Sequence, residues 1–176
     1  MHTFNQQQYL DEITALLAQA KSNLEAQAPE AVVYTLNIWT DPESAASAVS
    51  FDTKESSDNK IAFQNRQAAS RRERLVASGN IEGAARWKDQ EGRICNPADF
   101  ALPNIAECTH SSMPIGWEEE SEGKRWDILE PALLEVREMA KRAFSDLQLD
   151  PLAELSVNSR QDWYDHPCHI GSDLVA

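Results

Sequence analysis

The chain has 176 residues, a length typical of a single domain. Asp and Glu total 29 against 16 Lys and Arg, which gives a formal net charge of −13. Such a surface repels the phosphate backbone, so we expect no nucleic-acid ligand, whereas it attracts a basic protein and speeds diffusional encounter with it. The same acidity is also typical of proteins whose charge only keeps them dispersed.

The N-terminal stretch MHTFNQQQYLDEIT lacks the basic and apolar regions of a secretory signal, and no apolar run is long enough for a membrane span. The three cysteines, Cys95, Cys108 and Cys168, are an odd number without a CxxC pair, which argues against a disulfide framework and a zinc ribbon. We therefore expect a cytoplasmic protein with one domain, residues 1–176, that does not bind membranes.

An amphipathic helix opens the chain, because apolar residues recur there at steps of three and four. Its capping box is formed by Thr3 with Gln6 or by Asn5 with Gln8, and the helix ends before Pro29. The apolar stripe consists of Leu10, Ile13, Leu17, Ala20 and Leu24.

The stretch AVVYTLNIWTDPESAASAVSFDT predicts a β-hairpin. Its β-branched and aromatic residues alternate with a period of two, and Asp41-Pro42 is a turn signal before a second, short strand at Ala48–Thr53. The polar residues 54–60, KESSDNK, predict a surface loop after the hairpin.

A second helix is predicted from Ile61 to Val76, followed by a short one from Ile81 to Lys88. The second helix carries a basic cluster that either holds an anion or acidic partner, or pairs with the protein's own carboxylates. We favour the internal pairing. The cluster consists of Arg66, Arg71, Arg72 and Arg74.

Asn96-Pro97 predicts the start of a one- or two-turn helix. The last long helix has an unbroken apolar stripe, and it begins either at Asp127, with Glu130 completing a capping box, or at Glu130 with Pro131 as the first helical residue. Asp150-Pro151 is expected to close it, with a short strand near 155–157 beyond. The stripe consists of Leu129, Leu133, Val136, Ala140, Ala143 and Leu147.

These elements predict an α+β fold in which a small, mostly antiparallel sheet packs against two long amphipathic helices, with helix content above strand content. The core is expected to include residues from the first helix, the first strand and the last helix. They are Leu10, Ile13, Leu17, Leu36, Ile38, Leu133, Val136 and Ala140.

The segment DWYDHPCHIG raises the question of a metal or catalytic site, because Asp165, His166, Cys168 and His169 all carry ligand atoms. Pro167 restricts its neighbours and splays them, and neither HExxH nor CxxC occurs to complete a zinc site. We favour a solvent-facing polar segment and keep a metal-dependent or thiol enzyme as the alternative. No metal, cofactor or catalytic residue is predicted.

Nucleophilic catalysis has weak signals elsewhere. Cys108 with His110, or Cys168 with a neighbouring histidine, supplies a thiol and a base, but the chain has no GxSxG, GxxxxGK[ST] or GxGxxG motif.

The acidic run between two tryptophans is the predicted partner-binding site. Four carboxylates within five positions repel one another, and an opposing basic surface would relieve that repulsion, while tryptophan is a common interface anchor. An exposed loop is the alternative interpretation. The predicted binding residues are Trp117, Glu118, Glu119, Glu120, Glu122 and Trp126.

The N-terminal helix, the stretch VVYTLNIWTDPESAASAVSFDTKE and the later ARW and DWYDHP together resemble a bacterial family of uncharacterised domains that is similar to immunity proteins encoded beside polymorphic toxins. The resemblance implies a small cytoplasmic α+β protein that binds and blocks one toxin without catalysis. We therefore predict an inhibitor that neutralises a basic toxin by occluding its active site. A structural or assembly subunit remains a further alternative, and the oligomeric state is open.

Overall fold

The computed structural model describes residues 4–113 and 122–171, with no side-chain description for residues 122–124. The structure is 46% helical and 25% strand, so the predicted α+β class and the excess of helix over strand are confirmed. The chain divides into two compact units, one from Met1–Lys54 and Cys95–Ala176 and the other from Glu55–Ile94. A single domain over residues 1–176 stays a prediction.

The described elements are four α-helices, a 3-10 turn and five strands. The helices are α1 (Gln6–Gln27), α2 (Lys54–Ala77), α3 (Ile81–Ala85) and α4 (Glu122–Ala143), and the 3-10 turn is Pro97–Asp99. The strands are β1 (Val33–Asp41), β2 (Ala46–Thr53), β3 (Leu102–Thr109), β4 (Leu149–Val157) and β5 (Asp165–His169). Within the described ranges, no helix has the length and apolar character that crossing a membrane requires.

The five strands form one mixed sheet in the order β3-β2-β1-β4-β5. β1 and β2 form the predicted antiparallel hairpin, with Leu36 opposite Phe51 and Ile38 opposite Val49. β2–β3 and β4–β5 are also antiparallel, whereas β1 and β4 are parallel. The sheet thus extends well beyond the hairpin that the sequence predicts.

The apolar core lies between one face of the sheet and helices α1 and α4. Every predicted core residue is buried there, which confirms the apolar stripes of α1, β1 and α4. Phe51 of β2 and Phe144, just after α4, meet edge to face with their ring centroids 5.4 Å apart. At the start of α1, Asn5 is the cap, since its Oδ1 accepts from the backbone N–H of Gln8 at 3.1 Å.

The predicted surface loop at residues 54–60 is wrong, because these residues form the first turns of helix α2. α2 begins at Lys54, and only Ser57 and Ala68 of its 24 residues are buried. A helix that is polar on most of its surface has no apolar period, so its first turns have the same composition as a loop. The predicted one- or two-turn helix after Asn96 is a single 3-10 turn, which Asn96 caps by accepting from Ala98 N at its Oδ1, at 3.2 Å.

The predicted start of the last helix, at Asp127 or Glu130, and its predicted end at Asp150-Pro151 are all wrong. α4 is already helical at Glu122 and ends at Ala143, with Pro131 exposed inside it. Asp150 and Pro151 lie in β4 rather than in a terminating turn. Proline tolerates the beginning of a strand, where a missing N–H removes little pairing, and β4 pairs with β1 mainly beyond it, from Glu154 to Val157.

The second unit consists of α2, α3 and a segment that returns along α2. Asn65 exchanges two hydrogen bonds with the backbone of Gln90, at 3.0 and 2.7 Å, and Ser57 Oγ accepts from Ile94 N at 2.9 Å. Arg72 binds Asp89 at 2.7 Å, so the favoured internal pairing of the arginine cluster holds for this residue.

Gly171 follows β5 where no side chain fits. A Cβ placed on it would lie 2.5 Å from the carbonyl oxygen of Asp150 and equally close to Pro151. We expect Gly171→Ala to lower the free energy of unfolding by about 1–3 kcal/mol, the usual effect of forcing an atom into filled space. Urea unfolding of both proteins measures the difference, and equal midpoints would contradict this packing.

Candidate functional site

The predicted binding residues are only partly described. Trp117, Glu118, Glu119 and Glu120 lie outside the described residues, and Glu122 is the first described residue of α4. Trp126, one turn further along α4, lines a surface cleft. The cleft therefore begins next to the acidic run in the sequence.

We name this feature the tryptophan cleft. It has a volume of about 330 Å³ and lies where the β1–β2 turn, the first turns of α4 and the β4–β5 loop meet. Its lining residues are Asp41, Pro42, Glu43, Arg125, Trp126, Arg160 and Trp163.

The β1–β2 turn forms one wall of the tryptophan cleft and is held by its own aspartate. Asp41 Oδ1 accepts from Glu43 N at 2.9 Å, and Asp41 Oδ2 accepts from Ser44 Oγ at 2.8 Å. Aspartate is favoured at this turn position because its side chain satisfies backbone N–H groups that no strand partner reaches. The wall is therefore ordered by local hydrogen bonds.

The β4–β5 loop forms the facing wall and is tied to β1 by two asparagines. Asn158 accepts from Thr40 N and donates to Thr40 O, both at 2.9 Å, which continues the β1–β4 pairing by one step. Asn37 Nδ2 donates to the backbone oxygen of Trp163 at 2.9 Å. The backbone that carries Trp163 is thus fixed, while its side chain is 54% exposed.

A second hollow of about 280 Å³ lies on the other side of Trp163, with Asn96, Pro97 and Ala98 among its lining residues. Trp39 and Trp163 meet edge to face there, with ring centroids 5.8 Å apart. Asn104 holds the indole of Trp39 by accepting from its Nε1 at 3.1 Å. Trp163 is therefore a fixed aromatic ridge between two hollows.

The tryptophan cleft presents charges of both signs beside its aromatic rings. Glu43 and Arg160 are exposed, whereas Arg125 is buried. Aromatic and arginine side chains in a concave surface are typical of the energetically dominant positions of protein interfaces. The arrangement is chemically suited to receive a protein segment that offers an aromatic or charged side chain.

A second polar group, which we name the Glu12 network, lies partly buried at the same end of the sheet. His110 Nδ1 is 2.9 Å from Glu12 Oε2, and His110 Nε2 is 2.6 Å from Ser47 Oγ. Ser47 Oγ is 2.6 Å from Thr40 Oγ1, which is 2.8 Å from the hydroxyl of Tyr9. Ser111 and Ser112 donate their hydroxyls to Glu12 at 2.6 and 2.7 Å.

The Glu12 carboxylate determines which atom donates and which accepts in the hydrogen bonds of this network. Partial burial would raise the pKa of Glu12, but hydrogen bonds from Ser111, Ser112 and His110 outweigh it and lower the pKa to about 2. Burial lowers the pKa of His110 although Glu12 opposes that shift, so the imidazole is neutral at pH 7. An ionised carboxylate only accepts, hence His110 donates from Nδ1 and accepts from Ser47 at Nε2.

Ser47, His110 and Glu12 have the connectivity of a nucleophile, base and carboxylate, but not the accessibility. Ser47 is fully buried and His110 nearly so, which leaves no face at which a substrate carbonyl could meet the hydroxyl. Cys108 Sγ lies 3.7 Å from His110 Nε2, and burial raises the pKa of this thiol. The geometry joins α1, the β1–β2 hairpin and the end of β3.

The segment DWYDHPCHIG forms the edge strand β5 and does not converge on a point. His166 Nε2 bonds Glu130 of α4 at 3.0 Å, Cys168 is half-buried against the core, and His169 is exposed opposite Glu154. Burial raises the pKa of the Cys168 thiol. Among residues 4–113 and 122–171, no three His, Cys, Asp or Glu side chains are grouped closely enough to hold a metal ion.

Sequence reasoning missed most of the residues that build these two sites. Glu12 and His110 are 98 positions apart, and no motif relates them. No sequence pattern singled out Trp163, whose side chain is half-exposed. Two predicted features do line the tryptophan cleft, namely Trp126 of the predicted binding set and the turn at Asp41-Pro42.

Comparison of the chain with protein families, with curated proteins and with solved structures found no match in any of the three. The resemblance to toxin-immunity proteins therefore stays a prediction.

Glu12→Gln tests the electrostatics of the Glu12 network. In the wild type the contribution of Glu12 to stability is present above pH 4.5, the carboxyl's ordinary pKa, and is lost as pH falls to about 2. We expect the variant to be less stable at pH 7 by about 1 kcal/mol, because solvent screens a partly exposed carboxylate, and we expect the difference to shrink as pH falls.

The measurement is chemical unfolding of both proteins at several values between pH 7 and pH 3. Glu25→Gln removes an exposed carboxylate from the same helix and serves as the matched control. A difference between wild type and Glu12→Gln that stays constant over this range would contradict the assigned pKa.

Proposed function

We propose that this chain is a protein-binding inhibitor of the immunity type, which neutralises a basic bacterial toxin in the cytoplasm by occluding its active site. The observation that carries the proposal is the tryptophan cleft, which is lined by Trp126 and by the half-exposed Trp163. Trp126 is also close in the sequence to the chain's densest acidic run. Trp126 is four positions after Glu122, the last glutamate of that run. Catalysis plays no part in this mechanism.

Preorganisation supports a binding role for the cleft. The backbone of Trp163 is held by Asn37, and the adjoining loop is held by the paired hydrogen bonds between Asn158 and Thr40. A rigid aromatic side chain loses little conformational entropy when a partner covers it, so more of the contact energy appears as affinity.

The net charge of −13 supports a basic partner. Complementary charge mainly raises the rate of encounter, whereas buried aromatic anchors mainly slow dissociation. The acidic run at 118–122 and the tryptophan cleft therefore make separable contributions to the proposed complex, and each has its own test.

The acidic run is tested by replacing Glu118, Glu119, Glu120 and Glu122 with glutamine. The partner is first captured from the lysate of the native cell at low salt, eluted at high salt and identified. With that purified partner, we expect the variant to associate about tenfold more slowly at low salt, because steering charge is lost, and to show a flatter salt dependence.

The matched control replaces four exposed glutamates elsewhere, Glu25, Glu30, Glu107 and Glu135, so that net charge changes equally. Association rates that fall equally in both variants would assign the effect to net charge. Unchanged rates in the first variant would remove the acidic run from the interface.

The tryptophan cleft is tested with Trp126→Ala and Trp163→Ala. We expect each substitution to raise the dissociation rate of the captured partner about 30-fold, as loss of an interface anchor worth about 2 kcal/mol requires. Surface plasmon resonance measures the rates, and Trp87→Ala, which removes a 41% exposed tryptophan from the other unit, is the control. Wild-type dissociation from both cleft variants would refute this site.

A further inference from the structure

The hollow between Trp163 and the 3-10 turn has a lining that differs from that of the tryptophan cleft. We name the hollow, whose walls include Trp39, Trp163 and Asp41, the indole corner. Its volume is about 280 Å³, and all of its described lining residues belong to one compact unit, Met1–Lys54 with Cys95–Ala176. Sites for drug-sized ligands have roughly 300–1,000 Å³, so the indole corner is suited to a small chemical group.

Two indole rings form adjoining walls of the indole corner. Trp39 and Trp163 stand at 84° to each other, with their ring centroids 5.8 Å apart. Trp163 is 54% exposed and Trp39 is partly exposed. A group that lies in the angle between two perpendicular rings is within reach of both ring faces. An aromatic face attracts a cation that lies within about 6 Å of its centroid, so the two rings can act on one cation together.

Asparagine side chains hold both tryptophans in place. Asn104 Oδ1 accepts from Trp39 Nε1 at 3.1 Å, and Asn37 Nδ2 donates to the backbone oxygen of Trp163 at 2.9 Å. Asn104 has a φ of 45°, in the left-handed region that asparagine adopts more readily than most residues, and its N–H donates to Ser50 Oγ at 2.9 Å. Because the rings are already positioned, a ligand orders little of the protein when it binds.

The charge of the indole corner is negative. Asp41 is the one charged residue among the described residues that line it. Asp41 lies two positions after Trp39 on β1, so both side chains are on the same face of the sheet. Arg125 and Arg160 line the tryptophan cleft but not this hollow. A carboxylate beside two indole faces favours a positively charged ligand.

Hydrogen-bond acceptors indicate which kind of cation fits. The lining side chains have four oxygen atoms, two in Asp41 and one each in Asn96 and Asn104. Each of them already accepts a hydrogen bond from a neighbouring backbone N–H, hydroxyl or indole N–H. Lys carries three donors and Arg five, and a donor that loses water without gaining an acceptor is unfavourable. A quaternary ammonium group has no N–H donor, and Pro97 and Ala98 offer apolar surface to its methyl groups.

We propose that the indole corner binds a quaternary ammonium group. The two indole faces and the Asp41 carboxylate attract its charge, while Pro97 and Ala98 contact its methyl groups. The same group occurs in free small molecules and in trimethylated lysine side chains, so the experiment includes both sources. The proposal does not rest on the proposed inhibitor function, because it is tested with the purified chain alone.

The test is a titration of the isotope-labelled protein with choline chloride at constant ionic strength, in which NMR follows the indole N–H signals. We expect saturable shifts of the Trp39 and Trp163 signals, with a dissociation constant of about 1–10 mM. The neutral isostere of choline, in which a carbon atom replaces the charged nitrogen, should bind at least about tenfold more weakly because it lacks the attraction to the rings and to Asp41.

Two variants separate the contributions of the ring and the carboxylate. Trp163→Ala should weaken choline binding at least about tenfold, as seen in the Trp39 signal. Asp41→Asn keeps a turn-forming side chain and removes the charge, so it should weaken choline about threefold and leave the neutral isostere unaffected. Trp87→Ala, which removes a 41% exposed tryptophan from the other unit, is the matched control and should bind choline as the wild type does. Circular dichroism verifies that the variants are folded.

Peptides with one lysine, either trimethylated or unmodified, identify the source of the group. A trimethylated peptide that binds at least about tenfold more tightly than choline assigns the site to a protein side chain, and one that binds no more tightly assigns it to a free ligand. Shifts that do not saturate by about 100 mM choline, equal affinities for choline and its neutral isostere, equal affinities for the two peptides, or wild-type binding by Trp163→Ala would overturn the proposal.

Discussion

The parallel pairing of β1 with β4 determines where the surface features of this protein lie. Because the two strands run in the same direction, their carboxyl ends lie at the same end of the sheet, and the chain makes a turn there after each strand. Asn158 continues the pairing past the last residue of β4 by binding the backbone of Thr40. The tryptophan cleft is the space between these two turns and the beginning of α4, so its shape depends on a long-range pairing rather than on a local motif.

The Glu12 network supports the same end of the sheet from the core side. Tyr9 and Glu12 come from α1, Thr40 and Ser47 from the hairpin, and His110 from the residue after β3. A buried polar chain is favourable only when each member is satisfied, and the ionised carboxylate at its end accepts what the chain donates. The network therefore orients three elements relative to one another, which apolar contacts alone would do less specifically.

Local periodicity predicted the elements whose burial repeats regularly. The stripes of α1 and α4 and the alternation around Leu36 and Ile38 are direct consequences of one face meeting the core. β3 was missed because only two of its eight side chains, Ile105 and Ala106, are buried, and they are adjacent rather than alternating. The pairing of β4 with β1 and the meeting of Glu12 with His110 were unpredictable, since both join residues roughly one hundred positions apart through the fold alone.

The register of β2 and β3 has a consequence for how this chain could change over evolution. Phe51, near the end of β2, pairs with Leu102, the first residue of β3. Residues 54–101, α2 included, thus connect the end of β2 to the beginning of β3, which are neighbouring positions in the sheet. Residues 55–94 have the topology of an insertion, which can lengthen, shrink or be exchanged without altering any strand pairing.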